Sequence, residues 1–296
     1  MARKDKNVIA ILAALVSAIL VFPALGAADK HCVKIVTSFY PAYIVAINVA
    51  GEVPGVSVEN LTAPLAGCLH DYSLTPDDMK KLADADIFIA NGAGMESFME
   101  IAASRYPKLK IIRLTDGMPL IKNADGSLNP HTWLSVSNEI VEAGNLAKAL
   151  EGMDASRAKS YRQNAEKYIF KLNVLKNKME AGLTGYKGTK LITFHEAFPY
   201  FAGEFGLDIV GTILREPGSI PSPKELAKDI ELVRRTGVKL LFVEPQYPSG
   251  AAELIAKETG AKVYTLDPAV TGPVDPNAYI VIMEKNLETL KKAVTT

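Results

Sequence analysis

"AKSYRQNAEKYIFKLNVLKNKMEAG", residues 158–182, carries apolar side chains at Ala158, Tyr161, Ala165, Tyr168, Leu172, Leu175 and Met179. The steps are three and four without a break, the period of one face of an α-helix. Asp154 stands where an N-cap would, and Gly182 where the helix would stop. From Ala155 to Ala181 such a helix would be roughly 40 Å long at 1.5 Å per residue. That length crosses two small domains. A coiled-coil partner helix is the competing reading, but the stripe spans only about four heptads.

What flanks the stripe decides between them. On its amino side, "VKIVTS" (33–38), "VSVENLT" (56–62), "DIFIAN" (86–91) and "KIIRL" (110–114) read as strands. Helical patterns separate them at Tyr43–Ala50, Thr75–Ala85 and Glu96–Ser104, and Val136–Leu150 follows. On its carboxyl side, "KLITFH" (190–195), "LDIVGTI" (207–213), "KLLFVEP" (239–245) and "AKVYTLD" (261–267) read as strands. Residues 222–237, 249–260 and 276–294 read as helices. Strands alternating with helices imply parallel sheets covered on both faces. The expected fold is therefore α/β, with two lobes joined by one long spanning helix. The boundaries read as 28–152 for the first lobe, 153–183 for the connecting helix and 184–296 for the second lobe. A single stiff connector restricts hinge closure.

The N-terminus has its own pattern. "MARKDK" is basic, "NVIAILAALVSAILVFP" is apolar and "ALGAA" is small, the three parts of a secretory signal peptide over residues 1–27. No cysteine sits at the cleavage region, so a lipoprotein anchor is not expected. The reading is an exported periplasmic protein with no later segment long enough to span a bilayer. The whole chain has 33 basic and 33 acidic residues; without residues 1–27 it keeps 30 and 32, about −2. With that balance and no basic cluster interleaved with aromatics, a nucleic-acid partner is not expected.

The chain holds four histidines. His31 lies beside the cleavage region and reads as a terminal residue. His70 follows the second strand, in "GCLHDYSLTPDD" (67–78), which ends in a helix start at Thr75-Pro76. His131 lies in "NPHTWLS" after the fourth strand, and His195 ends the first strand of the second lobe. Asp267 ends that lobe's last strand, in "VYTLDP". Sites in open parallel sheets form at the carboxyl ends of strands. Three imidazoles and one carboxylate make a four-coordinate set for a borderline divalent metal, zinc above all. Their separations of 61, 64 and 72 residues exclude a compact finger, so two lobes must assemble the site.

Two cysteines in an oxidising compartment invite a disulfide. Cys32, however, opens a strand and Cys68 lies beyond the far end of a parallel neighbour. Those ends are roughly 16 Å apart at 3.3 Å per residue, against the 4.4–6.8 Å that a disulfide allows between Cα atoms. An unpaired Cys68 near the site is the expectation, with a thiolate ligand in place of Asp267 the lesser alternative.

The loops also resemble a known family: the periplasmic metal-binding receptors of zinc and manganese ABC transporters, the cluster A-I solute-binding proteins. The similarity runs through "LHDYSLTPDDMKKLADADIFIANGAGMESF", "NPHTWLS", "FHEAFPYFAGEFGL", "LREPGSIPSPKEL", "LFVEPQ" and "AKETGAKVYTLDP", nearly the whole chain after the leader. The resemblance implies two α/β lobes on a spanning helix, and His70, His131, His195 and Asp267 as metal ligands. Four departures stand out. Leu69 replaces a common proline, Asn129 replaces a common aspartate, the sequence after Asp267 differs, and a histidine-rich loop is missing before His131. Histidine at position 195, where manganese receptors tend to carry glutamate, favours zinc over manganese or iron. Glu196 reads as a helix-start or supporting acid rather than a ligand.

The implied function is capture of a divalent transition metal and delivery to an ABC permease, by a monomer that is not an enzyme. Four protein ligands leave no position for activated water. The competing readings are a zinc hydrolase using the same histidines, for which no H-E-x-x-H exists, and a receptor for an organic or chelated ligand. The latter would want an apolar or basic cleft.

Overall fold

The apolar stripe folds as one helix of 26 residues, Ala158–Leu183, with Tyr161, Ala165, Tyr168, Leu172, Leu175, Met179 and Leu183 buried. The computed structural model describes residues 32–62, 69, 72–123, 125–213, 221–246 and 248–295. Before the long helix come β1 (Val33–Thr37), α1 (Tyr40–Ala50), β2 (Val56–Asn60), α2 (Pro76–Asp84) and β3 (Ile87–Ala90). They are followed by α3 (Met99–Arg105), β4 (Lys110–Arg113) and α4 (Val136–Met153); the long helix is α5. After it come β5 (Lys190–Thr193), α6 (Pro199–Phe205), β6 (Asp208–Thr212) and α7 (Pro223–Thr236). The chain closes with β7 (Leu240–Val243), α8 (Gly250–Thr259), β8 (Lys262–Thr265) and α9 (Ala278–Thr295). The first sheet has the order β2-β1-β3-β4 and the second β6-β5-β7-β8. All pairs are parallel, and Val33 opposes Val56 at the start of the first. Each lobe thus repeats one topology, with the strand order reversing between its first and third strands. That reversal opens the crevice where ligands sit in such sheets.

The strand and helix placements expected from periodicity hold to within a few residues, with four differences. First, α6 was not expected. Its seven residues bury Tyr200, Phe201, Ala202 and Phe205, so no polar face reveals a period. Second, Asp154 does not cap α5, whose N-cap is Arg157. Asp154 ends α4 instead, and its carboxylate takes Ser156 Oγ, Arg157 Nη1 and Tyr161 Oη at 2.7–3.0 Å. Third, Gly182 lies inside α5. A Cβ there would come within 2.9 Å of Leu287 Cδ1, so the glycine admits close packing of α9. Fourth, the lobes are tied by more than one connector. After β8 the chain returns to the first lobe: Trp133 Nε1 donates to Pro268 O, Tyr40 Oη to Pro273 O and Asn48 Nδ2 to Pro276 O, each at 2.8 Å.

One hydrophobic core runs from the first sheet through α4 and α5 to α9 and the near face of the second sheet. A second core, around Ile192, Leu241, Val233 and Ile255, fills the far face of the second sheet under α7 and α8. Cys32 is an exposed thiol. Residues 1–27, His31 and Cys68 lie outside the described residues. No described helix is long and apolar enough to cross a membrane.

Candidate metal site

In the second lobe, β5 delivers His195 to the crevice. Phe194 N donates to Phe242 O at 3.0 Å, extending the β5–β7 contact to the strand ends. The next residues on the two strands are His195 and, directly after β7, Glu244. His195 Nδ1 lies 2.8 Å from Glu244 Oε1. The carboxylate is 2% exposed and can only accept, so the ring proton belongs on Nδ1 and the lone pair on Nε2. Glu244 was absent from the sequence-based set. Its one signal is an acid closing the fully apolar strand "LLFV", where a buried charge needs a partner.

In the first lobe, His131 is buried between β4 and α4. Asn129 settles its tautomer. The backbone N–H of His131 donates to Asn129 Oδ1 at 3.0 Å, which identifies that atom as the acceptor. Asn129 Nδ2 donates to Asn123 Oδ1 at 3.1 Å and to Glu196 O at 2.8 Å, consistent with the same orientation. His131 Nδ1, 3.0 Å from Oδ1, therefore carries the proton, again leaving the lone pair on Nε2. The amide at position 129 thus keeps the acceptor of the aspartate it replaces and drops only the charge. Behind the histidine, a short 3-10 turn (Thr132–Leu134) buries Trp133, and Ser135 caps α4 by accepting from Asn138 N.

The two lobes meet at this loop. Tyr200 on α6 donates to Asn129 O and accepts from Ile121 N, both at 2.9 Å. Glu204, also on α6, accepts from Ser137 N and Oγ at the positive end of α4. The result brings His131 and His195 edge to face, with ring centroids 4.8 Å apart.

Asp267 follows β8 and is half-buried. Its backbone is clamped by Asn286 of α9: Asp267 N donates to Oδ1 and Nδ2 donates to Asp267 O, each at 2.8 Å. Its Oδ1 accepts from Ala269 N at 2.8 Å. Burial pushes the Asp267 carboxyl above its usual range despite that hydrogen bond, and the negative charge of Glu244 adds to it. A divalent cation between the lobes would relieve both effects.

His70 and Asp71 lie outside the described residues. Their neighbours are placed: Leu69 is buried in the main core, and Tyr72 Oη donates to Asp78 Oδ2 at 2.6 Å. The expected helix start holds, with Thr75 and Asp78 forming a reciprocal capping box. Glu196 is not at a helix start, because α6 begins at Pro199. The residue instead lines a cavity of about 390 Å³ with Lys122, Asn123 and Thr212. Among the described residues no cluster of three or more His, Cys, Asp or Glu forms a complete metal cage.

Known proteins share this architecture. The iron-binding protein YfeA of Yersinia pestis is 30% identical over 271 residues, covering 88% of this chain and 85% of YfeA. The zinc-binding protein AdcA of Streptococcus pyogenes is 29% identical, covering 88% of this chain and 55% of AdcA, so the chain spans about half of that relative's length. The structure of FpvC from Pseudomonas aeruginosa in complex with Mn2+ superposes with a TM-score of 0.80 at 29% identity, covering 89% of this chain and 99% of FpvC. Zn(II)-bound AdcA from Streptococcus pneumoniae gives 0.79 at 29% identity, over 89% of this chain and 58% of AdcA. Residues 35–293 match the family described as zinc-uptake complex component A, periplasmic, and the chain belongs to that family.

Proposed function

We propose that the protein is the metal-binding receptor of an ABC uptake system, taking a divalent transition metal, with zinc preferred, in the crevice between its lobes. His131 Nε2, His195 Nε2, His70 and Asp267 are the proposed ligands, and the cargo passes to a membrane permease. One observation carries the reading. Two histidines from different lobes meet at 4.8 Å, and each has its Nδ1 engaged by a buried oxygen acceptor. That arrangement presents Nε2, the pattern by which supporting shells orient metal-binding imidazoles. Imidazole-rich sets with a carboxylate suit zinc better than harder cations. The names of the relatives, which include zinc-, iron- and manganese-bound proteins, support a transition metal. The leader pattern at residues 1–27 and the family's description support a periplasmic location.

Binding rather than catalysis follows from the ligand count: four protein donors fill a tetrahedral ion. Metal-stripped protein titrated against zinc, manganese(II) and iron(II) with a competing chelator tests this. One equivalent of zinc bound more tightly than the other two is expected. Retention of none of the three would refute the reading.

A further inference from the structure

Beyond the four proposed ligands, a relay from the first sheet fixes the loop that carries His131. Asn91 is the first residue after β3, at the reversal point of the first sheet. Glu244 holds the equivalent position after β7 in the second. Where Glu244 touches a histidine ring directly, Asn91 acts on a histidine loop. Its Nδ2 donates both hydrogens, to Gly92 O at 3.0 Å and to Pro130 O at 2.9 Å. Pro130 O also accepts from Thr132 N at 2.8 Å, so both bonds converge on the peptide that precedes His131.

Asn91 is itself pinned. Its carbonyl accepts from Thr115 Oγ1 at 2.8 Å. Its N–H, and that of Gly92, donate to the two oxygens of the buried Glu96 carboxylate at 2.7 and 3.0 Å. That carboxylate braces a loop of unusual backbone. Gly92, Ala93 and Gly94 all have positive φ, at 86°, 54° and 85°, and Ala93 pays a steric penalty there. Asn129 Nδ2 donates to Glu196 O, and Tyr200 Oη donates to Asn129 O, both across to the second lobe; Asn129 also bonds Asn123 and Ile121 in the stretch after β4. Ile121 and Asn123 lie outside the strands, whereas Asn91 directly follows β3, so its bond to Pro130 O ties the His131 loop to the sheet of its own lobe.

We propose that Asn91, held in place by Glu96, is a positioning residue that fixes His131 relative to the first sheet and thereby sets metal affinity. This rests on the metal-receptor reading above. Only a side chain with two coplanar N–H donors can reach both carbonyls, and Asn91→Asp removes them at nearly unchanged volume.

The test measures three quantities on metal-stripped wild type, Asn91→Asp and a control, Val233→Ala. The control lies in the far core of the second lobe. The quantities are zinc affinity by competition, the visible spectrum of the cobalt(II) form, and the melting temperature without metal. Asn91→Asp is expected to bind zinc 10–100-fold more weakly, the range for outer-shell partners, with a shifted cobalt(II) band. Val233→Ala is expected to melt earlier with wild-type affinity and spectrum. Wild-type affinity and spectrum in Asn91→Asp would overturn the proposal, as would a loss of affinity no larger than that of the control. Should Asn91→Asp fail to fold, Asn91→Ala carries the same expectation and the same refutation. Wild type that binds neither zinc nor cobalt(II) would overturn the receptor reading itself, and this inference with it.

Discussion

Glu244 and Asn129 do for His195 and His131 what the histidines cannot do for themselves: each holds the proton on Nδ1. The two supports differ in charge. Glu244 contributes a buried negative charge beside Asp267, whereas Asn129 is neutral. A carboxylate partner raises the basicity of a metal-binding imidazole more than an amide does. Glu244→Gln keeps an acceptor oxygen and removes the charge, so zinc affinity should fall about tenfold, in the lower part of the range for supporting residues. A chelator competition titration reads this, and an unchanged affinity would show that the charge is idle. At this scale His195 and Asp267 could be picked out because each lies just past a strand end, whereas His131 sits in the long connection between β4 and α4. Glu244 and Asn91 close strands too, but their importance lies in which strand neighbours which. β5 and β7 are adjacent across a reversal that no local pattern records.

Among the elements, α4 carries an unusual load. Glu139 and Glu142 are both buried, and Glu139 Oε2 and Glu142 Oε1 have no hydrogen-bond partner among the described residues. Tyr168 of α5 donates to Glu139 Oε1 at 2.8 Å. Burial pushes the Glu142 carboxyl up to about 7. Glu139 is raised well above its usual range by burial and by the charge of Glu142. An unfolded glutamate titrates near its ordinary value, ~4.3. The folded protein therefore holds more protons than the unfolded chain as pH rises from that value, and its stability falls with pH across the window up to about 7. At roughly 1.4 kcal/mol per pH unit, the loss attributable to Glu142 is on the order of 4 kcal/mol. Glu142→Gln should flatten that decline in metal-free protein, measured by urea unfolding at pH 5 and pH 8. An equally steep decline in the variant would place its cause elsewhere. Helix α4 itself was legible from its period. The acids inside it were not, because a glutamate at a core-facing position reads as a break in the pattern.

For the whole molecule, alternation of strands and helices around a long apolar stripe was enough to expect two α/β lobes on a spanning helix. It was not enough to show how tightly they are joined. Residues 268–277, which contain four prolines or glycines and no periodic signal, return to the first lobe and bond Trp133, Tyr40 and Asn48. Asn286 of α9 then clamps Asp267 from the same side. The lobes share one core through α4, α5 and α9, so a large hinge opening would break both the crossing and the core. On the proposed reading, the crevice holds His131 and His195 as two half-sites from different lobes, and His70 and Asp267 would complete the set around a bound ion. Zinc-edge anomalous diffraction from crystals grown with one equivalent of zinc tests this directly. The predicted result is a single strong peak about 2.0–2.1 Å from Nε2 of His131 and His195 and from a ring nitrogen of His70, and about 2.0–2.2 Å from an Asp267 oxygen. A peak bound through Nδ1 of His131 or His195, or one lying outside the crevice between the two histidines, would contradict it.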